Sequence, residues 1–326
     1  MAMVQWAGAV VKCALCLAAP PNAWYHQTKP HTMEDRKMHM DFDAFVRQIE
    51  ENRWRVYGTA VYRRGQLLHR WGDTEGLHPV YSAAKSVTAV AAGIAMGEGR
   101  LSPETPVLAV LPKAHVSRMS PLQKERFAPI TLHRLMTMSV GGFPFRPEGK
   151  SWLDAALACP LENSGTPVFC YSNICAYLTG VAVTEAMGQD AGQLIAERIL
   201  APLGIESYRL GRCPEGYFYG ASNMELSVDG LSRIGQMLLD GGVYRGRRIV
   251  PEAFVKAATT VQQMSREGGY GYFFWKYRDG FSINGKWKQK CYVLPKEGLV
   301  ITYLSDIRED CPELKQSMEK HLLGLE

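Results

Sequence analysis

The 326-residue chain lacks any apolar stretch long enough to cross a bilayer as a helix. It also lacks a charge excess of either sign. The formal net charge of +5 is mild for this length and no long basic run occurs, so nucleic-acid binding has no support. There is no His-Glu-x-x-His, no Walker loop and no Gly-x-Gly-x-x-Gly after a strand, so neither a metal nor a nucleotide cofactor is indicated. A paired cysteine framework is missing too. The cysteines (Cys13, Cys16, Cys159, Cys170, Cys175, Cys213, Cys291 and Cys311) are scattered. Cys175 and Cys291 sit in apolar settings and read as buried small hydrophobes. Free thiols of this kind favour a reducing compartment such as the cytoplasm. Cys13-x-x-Cys16 has no second pair or histidines at zinc spacing.

What the chain does have is the composition of a globular protein with room for a large core: 46% hydrophobic and 21% charged residues. Residues 1–39 stand apart. Met1–Ala19 is apolar and ends near Ala18-Ala19-Pro20-Pro21, but no basic residue precedes the run and Lys12 interrupts it, so its signal-peptide features are weak. We read 1–39 as a disordered or signal-like extension, with Met33, Met38 and Met40 as alternative starts, and 40–326 as one domain.

The most informative segment is Tyr81-Ser82-Ala83-Ala84-Lys85-Ser86-Val87-Thr88. Positions i and i+3 share a helix face, so Ser82 and Lys85 stand one turn apart. A serine hydroxyl needs a neighbouring base to act as a nucleophile. A lysine amine is such a base when burial lowers its pKa. Alone, the pattern recurs by chance in many chains, and most copies are a solvated helix face. Here the helix continues as Val87, Ala89, Val90, Ala91, Ala92, Gly93, Ile94, Ala95, apolar all round and therefore buried. A second segment, Phe169-Cys170-Tyr171-Ser172-Asn173, precedes another apolar helix. Its Tyr171 can carry a proton and its Asn173 can hold a carbonyl or an amine. A buried tyrosine with an N-cap at Ser172 or Asn173 is the alternative.

In this order, Ser82-x-x-Lys85 and Tyr171-x-Asn173 resemble the serine β-lactamase and penicillin-binding-protein superfamily, in its class C-like branch. The flanks Gly97–Val107, Ile130–Ser139, Ala201–Ile205 and Gly235–Gly242 resemble it as well. The resemblance runs from about Met40 to the C-terminus. It implies an α+β fold: an antiparallel sheet flanked by helices, with an inserted helical subdomain and the site in the cleft between them. It implies a serine hydrolase working through an acyl-enzyme on an ester, amide or small peptide, including β-lactams or D-alanyl peptides, without a cofactor. Ser82 would be the nucleophile and Lys85 its base. Tyr171 would protonate the leaving group, and Asn173 would orient Lys85 or the substrate amide.

The third motif departs from the resemblance. The family carries Lys-Thr-Gly or His-x-Gly on a strand bordering the site. The best match is Gly285-Lys286-Trp287-Lys288-Gln289, with Lys286 at the Lys/His position and Lys288 where glycine is expected. Lys286 would steady Tyr171 or hold a substrate carboxylate, and an exposed basic loop is the equal alternative. The Gln289 N–H would join the Ser82 N–H as an oxyanion hole. The bulk of Trp287 and Lys288 argues against efficient penicillin turnover and leaves open a fold-retaining binding or sensor protein. The oligomeric state is not legible.

Along the chain, hydrophobic patterning predicts a helix over Phe42–Glu51 and strands over Trp54–Tyr62 and Leu67–Trp71. It predicts a mostly helical region over about 101–261, and strands over Tyr270–Tyr277, Lys290–Leu294 and Leu299–Leu304. A closing helix is predicted over Cys311–Leu323. The stripe Leu231, Ile234, Met237, Leu238 reads as a core helix. His78 and His133 read as structural.

Overall fold

The structure, a computed structural model, describes residues 40–162 and 164–325. The N-terminal stretch 1–39, with its signal-like segment and the Cys13–Cys16 pair, lies outside the described residues.

Helix α1 (Phe42–Glu51) is capped by Asp41, whose carboxylate accepts the Ala44 N–H, and buries Phe42, Ala44, Phe45 and Ile49. Strands β1 (Val56–Arg63) and β2 (Gln66–Gly72) form a hairpin through Arg64 and Gly65, both at positive φ. The chain then runs through mostly helical structure before returning as β3 (Gln263–Ser265), β4 (Gly268–Tyr270), β5 (Trp275–Tyr277), β6 (Gly280–Gly285), β7 (Gln289–Leu294) and β8 (Leu299–Ser305). All join one antiparallel sheet in the order β2-β1-β8-β7-β6-β5-β4-β3. The first and last parts of the chain thus meet at the β1–β8 pair. Every residue of β8 is buried, as a central strand covered on both faces requires.

Helices cover the two faces. On one, α1 and the last helix, α5 (Pro312–Leu323), enclose a core with Phe45, Ile49, Tyr292, Ile301, Met318 and Leu322. On the other lies α4 (Val228–Leu239), whose Leu231, Ile234, Met237 and Leu238 are buried as the stripe predicts. α4 sits so close that a Cβ on Gly235 would lie 2.7 Å from Cys291 Sγ. Beyond it, α2 (Ala84–Gly97) packs on α3 (Asn173–Met187). Both are apolar nearly all round and buried over most of their length. Each fully buried Val or Ile on α2 contributes about 1.5–3 kcal/mol. Among the described residues, no helix is long and apolar enough to cross a membrane.

Two stretches differ from expectation. The single strand over Tyr270–Tyr277 is broken into β4 and β5. Gly271 turns so tightly that a Cβ there would meet Ala258 O at 2.0 Å, and Phe273 takes a φ of +63° while its N–H bonds Met136 O. β6 was not anticipated at all, because Gly280, Ser282, Asn284 and Gly285 are poor strand formers. Its pairing on both sides, with β5 and β7, supplies what propensity does not.

Candidate active site

The chain enters α2 through Val80, whose N–H bonds Met224 O, and a 3₁₀ turn over Tyr81–Ala83. Tyr81 has a φ of +48°. That left-handed conformation costs a non-glycine residue about 1–3 kcal/mol and persists only where surroundings enforce it. Ser82 follows on this turn. Lys85, one turn on, is 1% exposed. Its Nζ lies 3.0 Å from Ser82 Oγ and donates to Ala221 O at 2.8 Å. Burial lowers the Lys85 pKa to about 7. The Ala221 carbonyl is held in place because Thr88, on α2, bonds the preceding Gly220 carbonyl at 2.7 Å.

Tyr171 lies just before α3, with the Lys85 ammonium nitrogen 5.0 Å from its ring centroid. Its ring stacks on Trp275 with planes 24° apart. Burial raises its pKa to about 12, against a smaller opposing influence from the Ser82 hydroxyl, so at neutral pH it is a phenol. Ser172 is the N-cap, accepting from Ile174 N–H at 3.1 Å and donating to Pro144 O at 2.6 Å. Asn173 opens α3 and donates to Tyr219 OH at 3.0 Å. Its Oδ1 is buried without a partner. Lys85 is held by Ser82 and Ala221 rather than by Asn173, which leaves the Asn173 oxygen available to a substrate N–H.

Ser82, Tyr171, Asn173 and Lys286 line one cavity of about 990 Å³, and Lys85, which is not part of the wall, reaches it through its hydrogen bond to Ser82. Sequence reasoning missed much of the remaining wall. Ser222 and Asn223 arrive on the loop that carries Ala221. Arg146 and Glu148 come from the loop before the helix Trp152–Leu157. Glu267 comes from the β3–β4 turn and Lys290 from β7. Asn284 on β6 is the cross-strand partner of Lys290, and its Oδ1 is buried and unpartnered. Burial lowers the Lys290 pKa to about 8. His78 and His133 stay outside the cavity wall. His78 stacks on Tyr57 and contacts Asp73, and His133 contacts Tyr272 OH at 3.0 Å.

The third-motif expectation needs correcting. Lys286, Trp287 and Lys288 form the turn between β6 and β7 and are not on a strand. The strand backbone against the nucleophile turn is that of Gly285, where a Cβ would come within 2.2 Å of Val80 O, so only glycine permits this approach. Lys286 lies at the cavity mouth with its ammonium 4.9 Å from the Trp287 ring centroid. Gln289 does not line the cavity. It is fully buried and pairs with Gly285 across the hairpin. Its side-chain nitrogen reaches the carbonyls of Lys286, Trp287 and Ser305, and its oxygen accepts the Ser305 N–H at 2.9 Å. The oxyanion role expected of Gln289 therefore does not fit its position.

A family model described as Beta-lactamase matches residues 42–317. The chain belongs to the β-lactamase family. No curated protein matches the sequence. Among solved structures, a β-lactamase/D-alanine carboxypeptidase from Pseudomonas syringae is similar at 15% identity and a TM-score of 0.69, over 87% of this chain and 98% of that one. A penicillin-binding protein homolog from Caulobacter crescentus is similar at 17% identity and a TM-score of 0.66, over 81% and 90%. A β-lactamase from Mycobacterium bovis is similar at 19% identity and a TM-score of 0.61, over 85% and 98%. These likenesses establish the fold: an antiparallel sheet with flanking helices, shared by a family of generally hydrolytic serine enzymes.

Proposed function

We propose that the chain is an acyl-transfer serine hydrolase with Ser82 as its nucleophile. The observation that carries this reading is the buried Lys85 amine 3.0 Å from the Ser82 hydroxyl, with a pKa lowered to about 7. Near neutral pH a large share of it is unprotonated and able to accept a proton. Ser82 Oγ attacks the substrate carbonyl carbon as its proton passes to Lys85. The developing oxyanion is met by the Ser82 N–H, at the open start of the helical segment, and by the Lys286 N–H, which directly follows the close-approach glycine. Collapse breaks the bond to the leaving group, which takes its proton from the Tyr171 phenol. The proton held by Lys85 then restores Tyr171. Water attacks the acyl-enzyme and releases the acid, and Ser82 regains its hydrogen.

The cavity wall supports a substrate class as well. Arg146, Lys286 and Lys290 face two carboxylates, Glu148 and Glu267. Lys290 stands across the strand pair from Asn284, whose buried oxygen is unpartnered among the described residues, so a donor and an open acceptor lie side by side. An ester or amide bearing a carboxylate beside an amide N–H satisfies both. The test is intact-mass spectrometry after incubation with a penicillin and with an activated ester, wild type beside Ser82→Ala. A serine-dependent adduct supports the nucleophile, and its lifetime separates a hydrolase from an acyl-trapping binding protein. Labelling that persists in Ser82→Ala refutes the assignment.

A further inference from the structure

We infer that Trp287 is a positioning residue that holds the Tyr81–Ser82 turn in its reactive conformation, through an aromatic contact braced by Gln289, Ser305 and Arg308. The inference rests on the reading of Ser82 as nucleophile. The left-handed φ of Tyr81 sets the direction in which Ser82 leaves the turn, and a bulky residue does not stay there unaided. The Trp287 ring meets the Tyr81 ring edge-on, with centroids 4.8 Å apart and planes at 74°. Trp287 is itself at φ +60° and Lys288 at +65°.

Those two strained residues are over-determined from below. The Trp287 carbonyl accepts from Ser305 Oγ at 2.8 Å and from Gln289 Nε2 at 3.1 Å, and the Lys286 carbonyl accepts from Gln289 Nε2 at 3.0 Å. The ring is fixed from the side. The Arg308 guanidinium lies 4.4 Å from its centroid and is anchored by Asp306 at 3.0 Å. Trp287 does not line the cavity, so its influence on the reaction runs through Tyr81 and not through substrate contact. The same hairpin brings Gly285 against Val80, so the nucleophile turn is gripped at two successive residues.

The test compares Trp287→Leu, Trp287→Phe and Tyr81→Gly, each checked for an unchanged circular dichroism spectrum. Trp287→Leu lowers kcat for an activated ester about tenfold or more, with KM within about twofold, because small displacements of a reacting group are costly. Trp287→Phe keeps the edge contact and restores most of the rate. Glycine adopts positive φ without strain, so in the Tyr81→Gly background Trp287→Leu has no further effect. Equal losses in both backgrounds overturn the inference. A crystal structure of Trp287→Leu decides the point without reference to turnover. Tyr81 is expected to leave the left-handed region and Ser82 Oγ to move away from Lys85 Nζ. Retention of both features overturns the inference, whereas labelling that survives Ser82→Ala would overturn only the choice of nucleophile.

Discussion

The Lys85 amine and the Ser82 hydroxyl lie 3.0 Å apart on one helix face, and among the described residues the buried amine has Ser82 Oγ and the Ala221 carbonyl as its hydrogen-bonding partners. No carboxylate stands against it among the described ion pairs, so burial dominates its titration, against a smaller opposing influence from Cys175, and pulls the pKa to about 7. Only the neutral form accepts the Ser82 proton. Acylation by an activated ester is therefore expected to rise with pH, pass half its maximum near pH 7 and level above it. Lys85→Arg, which stays charged, should abolish that rise together with most of the rate. A wild-type acylation rate that is flat from pH 5.5 to 9 would contradict a lysine base.

The same burial has a stability consequence. Lys85 loses its proton near pH 7 in the folded chain, against the ordinary value of 10.5. Between those values the unfolded chain binds more protons than the folded one, so stability rises with pH across that window and the deficit is fully present below it. Lys85→Met removes the deficit. It is expected to be inactive yet more stable at pH 6, by about 1–2 kcal/mol, as sites tuned for chemistry often are. Denaturant unfolding at pH 6 and pH 10 checks this, and the gain should shrink at the higher pH. A less stable variant at pH 6 would show that the amine's packing outweighs its desolvation.

What could be read in the sequence divides by distance along the chain. Ser82 and Lys85 are neighbours by helix geometry, so their proximity followed from spacing alone. The carbonyl that completes the Lys85 environment, Ala221, is 136 residues away, on a loop with no distinguishing composition. Most helices and strands were legible from periodicity, among them α1, α4 and α5. β6 was not, since Gly280, Ser282, Asn284 and Gly285 read as loop and are held in the sheet by both neighbouring strands. Missing β6 displaced the third motif by a few residues, onto the turn. That shift puts Gln289 in the cleft on sequence grounds, whereas its buried amide serves the backbone of that turn. A polar side chain's letter does not say which face of a strand it occupies once the register is uncertain. Lys290 was passed over for the same reason.

Tyr171 offers a test that depends on the leaving group. Held near a pKa of 12, it is a proton donor at neutral pH and not a phenolate base. Tyr171→Phe keeps the ring that stacks on Trp275 and removes only the hydroxyl. Hydrolysis of an anilide or amide, whose leaving nitrogen needs a proton, should fall by about 10²–10⁴-fold. A nitrophenyl ester leaves without one and should lose far less. Steady-state kinetics on a matched ester and amide pair reads the difference. Equal losses on both would place Tyr171 in the acylation of Ser82 rather than in leaving-group protonation.

Lys290 is where specificity should appear. It stands on β7 beside Asn284, with burial lowering its pKa to about 8 against a smaller opposing pull from the Glu267 carboxylate. Below pH 8 it carries a charge that a substrate carboxylate can neutralise. For matched esters with and without a carboxylate, Lys290→Met should raise KM for the carboxylate form by about tenfold and leave the neutral form nearly unchanged. An ionic contact in a partly desolvated site accounts for about 1–3 kcal/mol. The wild-type preference should itself fade as pH rises through about 8, since the ammonium is lost there while the substrate stays anionic. That pH dependence is what assigns the contact to Lys290. If the preference survives both the substitution and the rise in pH, the anion is held by Arg146, another cation of the cavity wall. The substrate would then lie with its carboxylate toward the Phe145–Gly149 loop and not along β6 and β7.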